Sequence, residues 1–448
     1  MLNTRLNGEV GSVIPRPEIK SVGLSPHASS LQAPLFTHLH LDDLQSSPRG
    51  FALPRASETR SIGVVTKHCP IGSAFISTPV FGKPSLSEET YKSAFNRLHL
   101  NRLIPAHRTI SSLNHLESHI TTLKMTGLRF DPEYFEAIAS SQTGDKPPLF
   151  KTAFEIREFT NPLMTQVLAA SPYPSNVTET VFTVTSYDGA EIQVTRFASD
   201  KALASVVPTP AVVYTHGGGL VACSVEIFAP QTARQAHDSD LPYFAVGYRL
   251  APENPAPCAA EDCFAALKYV SEHADEFNID PTKIALQGDS AGGGVAAGAA
   301  LIARDRQLSP PVAKQILIYP MIDDRTELPP DDPILKLLSW QSNDNVVAWN
   351  AYVGEDKRGK HDADISPYAA PARATSLRGL PATYIDVGTL DLFRDEDIAY
   401  AARLAEDDVE VEFHLWPGLP HGFEGVPTTS WYKRAHESRL SALRRIGV

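Results

Sequence analysis

From Asp131 onward, apolar residues recur with two distinct periods. Phe150, Phe154, Phe159, Leu163 and Val167 fall four or five apart, which is the spacing of one helix face. Asp131-Pro132 reads as an N-cap followed by proline at the first helical position, so two amphipathic helices are expected between residues 131 and 170. The stretch ETVFTVTSYDGAEIQVTRFA, residues 179–198, alternates apolar and polar positions on both sides of Asp188-Gly189, which predicts a β-hairpin. Beyond it, short apolar runs at 211–215, 243–248, 284–287, 316–319, 383–388 and 409–415 alternate with helical stretches that include 259–276, 291–306 and 394–406. Such βαβ alternation predicts an α/β fold, a mainly parallel sheet flanked by helices on both faces. Between 322 and 380 the alternation gives way to a Pro- and Asp-bearing insertion carrying Trp340 and Trp349. Insertions of this length commonly form lids or binding elements.

The first 124 residues follow neither period. They are rich in Ser, Pro and His, hold 13 Lys+Arg against 8 Asp+Glu, and contain no tryptophan, whereas the remainder holds 27 and 44. The segment reads as a disordered or appended N-terminal extension. Its Arg and Ser content would suit a transit peptide, and Asp42, Asp43 and Glu58 weigh against one. His38-Leu39-His40 has metal-ligand spacing but lies in this segment and is read as no site. The organised pattern begins at Met125, an alternative start, so the expected organisation is an extension over 1–124 and one domain over 125–448.

Composition narrows the function classes. The formal charge of −12 is the sum of +5 over the first 124 residues and −17 over the remainder, and so acidic a body argues against a nucleic-acid partner. No run of about 18 apolar residues occurs, so no membrane span is expected, and the first 20 residues lack a signal-peptide core. Four cysteines without a CxxC pair suggest neither a disulfide framework nor a zinc site. A reducing, cytoplasmic setting is expected, with organellar targeting by the N-terminal segment left open.

The chemistry concentrates at four places. IALQGDSAGGG, from Ile284, puts a G-x-S-x-G between an apolar strand and an alanine-rich helix; the sharp strand-to-helix turn needs small neighbours and pushes the Ser290 hydroxyl outward. The helix N-terminus adds a partial positive charge beside it. HGGG, from His216, follows the strand at 211–215; consecutive glycines let backbone N–H groups converge on one point, as an oxyanion hole requires. Gly217, Gly218 and Gly219 are the candidate donors, with Ala291, the residue after the nucleophile, supplying another. A serine nucleophile needs a base oriented by a carboxylate. Asp391, after the strand at 383–388, and His421, in the loop after 409–415, follow in the expected Ser, Asp, His order. Asp386, Asp395 and Asp397 are rivals of Asp391, read as a strand residue and two helix-start acids. His414 lies inside a strand and is read as structural. Cys258 and Cys263 are read as core thiols, and Arg249 and Glu253 as residues that fix a loop through charged hydrogen bonds.

With these residues in place, the sequence resembles the hormone-sensitive lipase-like group of α/β-hydrolase carboxylesterases. HGGG at 216, YRLAPE at 248, GDSAGG at 288, SPYAAPARATSLRGLPATYI at 366, DLFRDE at 391 and PHGF at 420 carry the likeness from about Phe130 to Val448. The resemblance implies a triad of Ser290, Asp391 and His421, an oxyanion hole of Gly218, Gly219 and Ala291, and a helical cap built from about 125–172 and part of 322–380. Leu220-Val221 stands where an aromatic residue is common in the family. The implied activity is hydrolysis of small to medium acyl esters through an acyl-enzyme, without metal or organic cofactor. An amidase, a lactonase or a hydrolase of a specialised natural-product ester would use the same triad, and a non-catalytic ligand-binding member of the fold is the alternative from another class. The oligomeric state stays open, a homodimer included.

Overall fold

The computed structural model describes residues 127–139, 148–170 and 172–447. Met125, the extension before it, His38, His40 and Cys69 lie outside the described residues. Among the described residues, eight strands form one sheet: β1 (Val177–Thr185), β2 (Glu191–Ser199), β3 (Thr209–Thr215), β4 (Tyr243–Val246), β5 (Ile279–Asp289), β6 (Lys314–Ile318), β7 (Ala382–Leu390) and β8 (Val411–Pro420). Their spatial order is β1-β2-β4-β3-β5-β6-β7-β8. The hairpin β1–β2 turns at Asp188-Gly189 as the alternation predicts, and β2 pairs antiparallel with β4. From β4 across to β8 every pairing is parallel. Every residue of β4 and β6 is buried, which requires helices on both faces of the sheet.

Those helices are α1 (Pro132–Ile138), α2 (Ala153–Ala169), α3 (Val225–Ser239), α4 (Cys258–Glu272), α5 (Ala291–Asp305), α6 (Ser342–Val353), α7 (Arg394–Glu406) and α8 (Ser430–Leu443). The Asp131 carboxylate caps α1 by accepting from the N–H groups of Glu133 and Tyr134, with Pro132 at the first helical position; this is the start signal read from sequence. Thr152 caps α2 in the same way through Glu155 N–H. α5 runs from the nucleophile turn through the core, buried at every position from Ala291 to Ala303.

The two N-terminal helices serve different surfaces. α2 packs against α3 and α6. α1 instead joins a separate apolar cluster, in which Phe130, Tyr134 and Ile138 meet Leu390, Trp416, Leu419 and Phe423. That cluster underlies the ends of β7 and β8, from which Asp391 and His421 emerge.

Candidate active site

The site begins with a backbone that only small residues can follow. Ser290, between β5 and α5, has φ 57° and ψ −122°, a conformation that costs a non-glycine residue about 1–3 kcal/mol and needs surrounding structure to hold it. Two hydrogen bonds do so: Ser290 N–H donates to Ile318 O at 2.8 Å, and Ser290 O accepts from Met321 N–H at 3.0 Å. A Cβ on Gly288 would lie 2.2 Å from Gly292 O, and one on Gly292 would lie 2.1 Å from Thr215 O. Both glycines of the motif are therefore fixed by contact, not by flexibility.

His421 Nε2 lies 2.9 Å from Ser290 Oγ, and His421 Nδ1–H donates to Asp391 Oδ2 at 2.8 Å. Asp391 Oδ1 accepts from Phe393 N–H at 2.9 Å, so both carboxylate oxygens are engaged. The Asp391 side chain is wholly buried while that of His421 is 13% exposed, which places the imidazole at the edge of the cavity and the carboxyl group behind it. The rings of Tyr319 and Phe393 stand edge-on to the imidazole, with centroids 4.4 and 5.2 Å away. Ser339 Oγ–H donates to His421 O at 2.6 Å and ties the histidine loop to the 322–380 insertion.

The glycine loop lies on the other side of Ser290. The His216 ring is buried between Tyr248 and Phe228. Burial pushes it down to about 4, so it is neutral and anchors the loop, its carbonyl accepting from Tyr248 OH at 2.8 Å. After it the chain turns through positive φ at Gly218 (123°), Gly219 (63°), Leu220 (67°) and Cys223 (71°). A Cβ on Gly218 would fall 2.2 Å from Ala222 O, and one on Gly219 would fall 2.6 Å from the Trp340 ring. Among the described residues, the N–H groups of Gly218, Gly219 and Ala291 have no hydrogen-bond partner, as donors reserved for a ligand would not. Gly217 packs on the elbow itself, its Cβ position 3.4 Å from Ser290 Cβ.

These groups open on a cavity of about 370 Å³, walled by Ile156, Phe159, Leu163 and Val167 of α2, by Phe228, and by Trp340. Trp340, from the 322–380 insertion, lays its ring over Gly219. Polar side chains on its wall include Gln231, Ser339, Gln341 and Asp344, and burial raises the Asp344 carboxyl to about 6. Behind the nucleophile, Asp289 accepts from Tyr214 OH and Gln231 Nε2–H, each at 2.7 Å, and burial raises it to about 7. Tyr319 OH donates to Glu424 at 2.5 Å, and the Arg439 guanidinium bridges Glu424 and Asp386.

The remaining residues singled out from sequence fall elsewhere. Asp386 is the partner of Arg439, and Asp395 pairs with Arg394. Asp397 lies buried in the first turn of α7, where burial drives its carboxyl well up. The His421 ring bonds instead to Asp391 and Ser290. His414 sits in β8 beside Glu412 and Ser438. Cys258 and Cys263 are buried free thiols. Arg249 bridges Asp188 and Asp262, and Glu253 pairs with Arg157 of α2. Sequence reasoning did not single out Tyr319, Trp340 as the ring over Gly219, Glu424, Arg157 or Asn161. Their partners lie far along the chain, and no local pattern marks them.

A sheet of this order, with a Ser-His-Asp chain at its strand ends and a glycine loop beside the serine, defines an α/β-hydrolase. A family model described as the alpha/beta hydrolase fold matches residues 212–425. The chain belongs to that family. It is 38% identical to Esterase LipI of Mycobacterium tuberculosis over 222 residues, which cover 48% of this chain and 66% of that protein. It is 31% identical to an ethyl acetate hydrolase of Pseudomonas putida, over 54% of this chain and 74% of that protein. A solved bacterial heroin esterase is 36% identical with a TM-score of 0.64, covering 70% of this chain and 97% of its own. The chain thus spans just under two thirds of LipI.

Proposed function

We propose that the protein is a serine carboxylesterase acting on small to medium acyl esters through an acyl-enzyme. The observation that carries this reading is the continuous chain Ser290 Oγ, His421 Nε2, His421 Nδ1, Asp391 Oδ2 beside unpartnered backbone N–H groups. Ser290 Oγ attacks the acyl carbonyl as His421 takes its proton, and Asp391 holds the imidazole in the tautomer that can accept it and stabilises the imidazolium. Gly218, Gly219 and Ala291 N–H groups receive the oxyanion, each worth about 3 kcal/mol in the transition state. His421 then protonates the departing alcohol, and water hydrolyses the acyl-enzyme by the reverse path.

The substrate class follows from the walls. A cavity of this size lined mainly by aliphatic and aromatic side chains suits an uncharged acyl or aryl group. The names of relatives and neighbours, LipI, ethyl acetate hydrolase and heroin esterase, point to the same reaction. No helix among the described residues is long and apolar enough to cross a membrane. A cytoplasmic setting is supported by the buried free thiols of Cys223, Cys258 and Cys263, and sedimentation would read the oligomeric state, a homodimer included. The test is turnover of p-nitrophenyl acetate through decanoate together with labelling by a fluorophosphonate. Turnover that vanishes in Ser290→Ala, with the adduct on Ser290, supports the reading; no turnover and no adduct sinks it.

A further inference from the structure

The loop that presents the glycine N–H groups is not held by its own strand alone. Past Gly219 it leaves the sheet, passes through two left-handed non-glycine residues, Leu220 and Cys223, and returns at Ser224 to open α3. Inside the turn, Val221 and Ala222 N–H donate to Gly218 O; these bonds close the turn without fixing its direction. The side-chain contacts from outside come from two residues one helical turn apart on α2, beside one backbone contact from Ala251. Asn161 Oδ1 accepts from Cys223 N–H at 2.7 Å. Arg157 Nε–H donates to Val221 O at 2.6 Å, and its Nη2 donates to Ala251 O at 2.8 Å. The guanidinium is held in turn by Glu253, at 2.6 and 2.8 Å, and Ala251 N–H donates to Leu220 O at 3.0 Å. The same helix lays Ile156, Phe159, Leu163 and Val167 along the cavity.

From this geometry we propose that Arg157 and Asn161 are positioning residues for the oxyanion hole, so that the helix which walls the substrate cavity also sets the direction of the Gly218 and Gly219 N–H groups. The inference rests on the esterase reading above. Neither side chain touches the reacting atoms. They act on the backbone at 221–223, two to five residues beyond the donors, and a strained turn anchored at Cys223 and Val221 has fewer ways to swing. A substrate that packs against α2 presses on the element that aims the donors, which couples acyl-group binding to stabilisation of the tetrahedral intermediate. The Asp391–His421 pair stands on other strands and is independent of this clamp.

The test uses three variants of the full chain. Asn161→Leu keeps the side-chain shape and removes the acceptor, Asn161→Asp restores an acceptor, and Arg157→Met keeps the aliphatic stem and removes the donors. Misdirected donors leave ground-state binding intact, so Asn161→Leu and Arg157→Met are expected to lower kcat on p-nitrophenyl butyrate by about 10- to 100-fold with KM changed less than about threefold. Affinity for an alkyl trifluoromethyl ketone, whose adduct places an oxyanion in the hole, should fall by the same factor. The pH–rate profile should keep its shape, and Asn161→Asp should recover most of the loss. Wild-type ketone affinity in both Asn161→Leu and Arg157→Met overturns the proposal. So does a loss in kcat that Asn161→Asp does not recover, or one matched by an equal loss in affinity for the alcohol analogue of the ketone, which forms no oxyanion. If the wild-type protein neither turns over the ester nor binds the ketone, the esterase reading itself has failed.

Discussion

Replacing Asp391 by asparagine isolates the role of the orienting carboxylate. Asp391 has two acceptors in use, Oδ1 for Phe393 N–H and Oδ2 for His421 Nδ1–H, and asparagine has one. If the amide oxygen faces His421, the amide NH2 confronts Phe393 N–H and a buried donor goes unpaired, at about 1–3 kcal/mol. If the oxygen stays on Phe393, the NH2 points at Nδ1, the ring proton moves to Nε2, and Nε2 donates to Ser290 Oγ instead of accepting from it. A neutral imidazole changes tautomer readily, so the second arrangement prevails, and the folded state satisfies itself at the expense of the base. The charge that would stabilise the imidazolium is also gone. The same exchange in a serine-protease triad lowers kcat about 10⁴-fold. The expectation here is a loss of about 10³ to 10⁴ in kcat, about 4–5.5 kcal/mol, with stability within about 1 kcal/mol of wild type. Initial rates on p-nitrophenyl butyrate from pH 5 to 9, the rate of fluorophosphonate labelling, and urea unfolding read the three quantities. A folded Asp391→Asn variant that works within tenfold of wild type would refute the assignment of Asp391 and with it the tautomer argument.

Two further expectations concern the groups on either side of the serine. Gly219→Ala puts a Cβ 2.6 Å from the Trp340 ring at a φ of 63°, so kcat should fall by at least about tenfold as the donor turns away; an unchanged kcat would mean that Trp340 yields freely and the loop is not constrained there. Burial holds the Asp289 carboxyl at about 7 against an ordinary 3.8. Between those values the folded protein keeps a proton that the unfolded chain has released, so this group's effect on stability worsens as pH rises from about 4 to 7. Asp289→Asn removes that dependence, and urea unfolding should show wild type losing about 3 kcal/mol more than the variant between pH 5 and pH 8. Parallel losses in the two proteins would mean that Asp289 is ionised throughout.

The parts of the site that were legible in the sequence are those in which one residue's identity is fixed by its own neighbours. Gly288 and Gly292 are dictated by backbone contacts within a few residues or on the adjacent strand, and Ser290, Asp391 and His421 each follow a recognisable strand. The hairpin was legible because its turn and alternation are local. Two things were less so. β5 begins at Ile279 rather than 284, because the polar segment Asp280–Lys283 breaks the apolar run while the strand continues past an irregularity opposite Thr209 and Ala211. The division of labour between α1 and α2 was also hidden, since both carry apolar faces and only the fold decides that one meets Trp416 and the other the cavity. Arg157 and Asn161 were invisible for a related reason: their partners are backbone atoms of Val221 and Cys223, 64 and 62 residues away, and a backbone atom leaves no trace in composition.

The spacing of the triad has a consequence for the making of the protein. Ser290 and His421 are 131 residues apart, and Arg439, which stands between the carboxylates of Asp386 and Glu424, comes later still. During synthesis the proposed nucleophile is therefore made long before the group proposed to activate it. A nascent chain that has completed the elbow but not β8 carries the Ser290 hydroxyl before its proposed base has been made. Under the proposed mechanism, order of translation thus sets a delay, because Ser290 meets its base only once the histidine loop has docked.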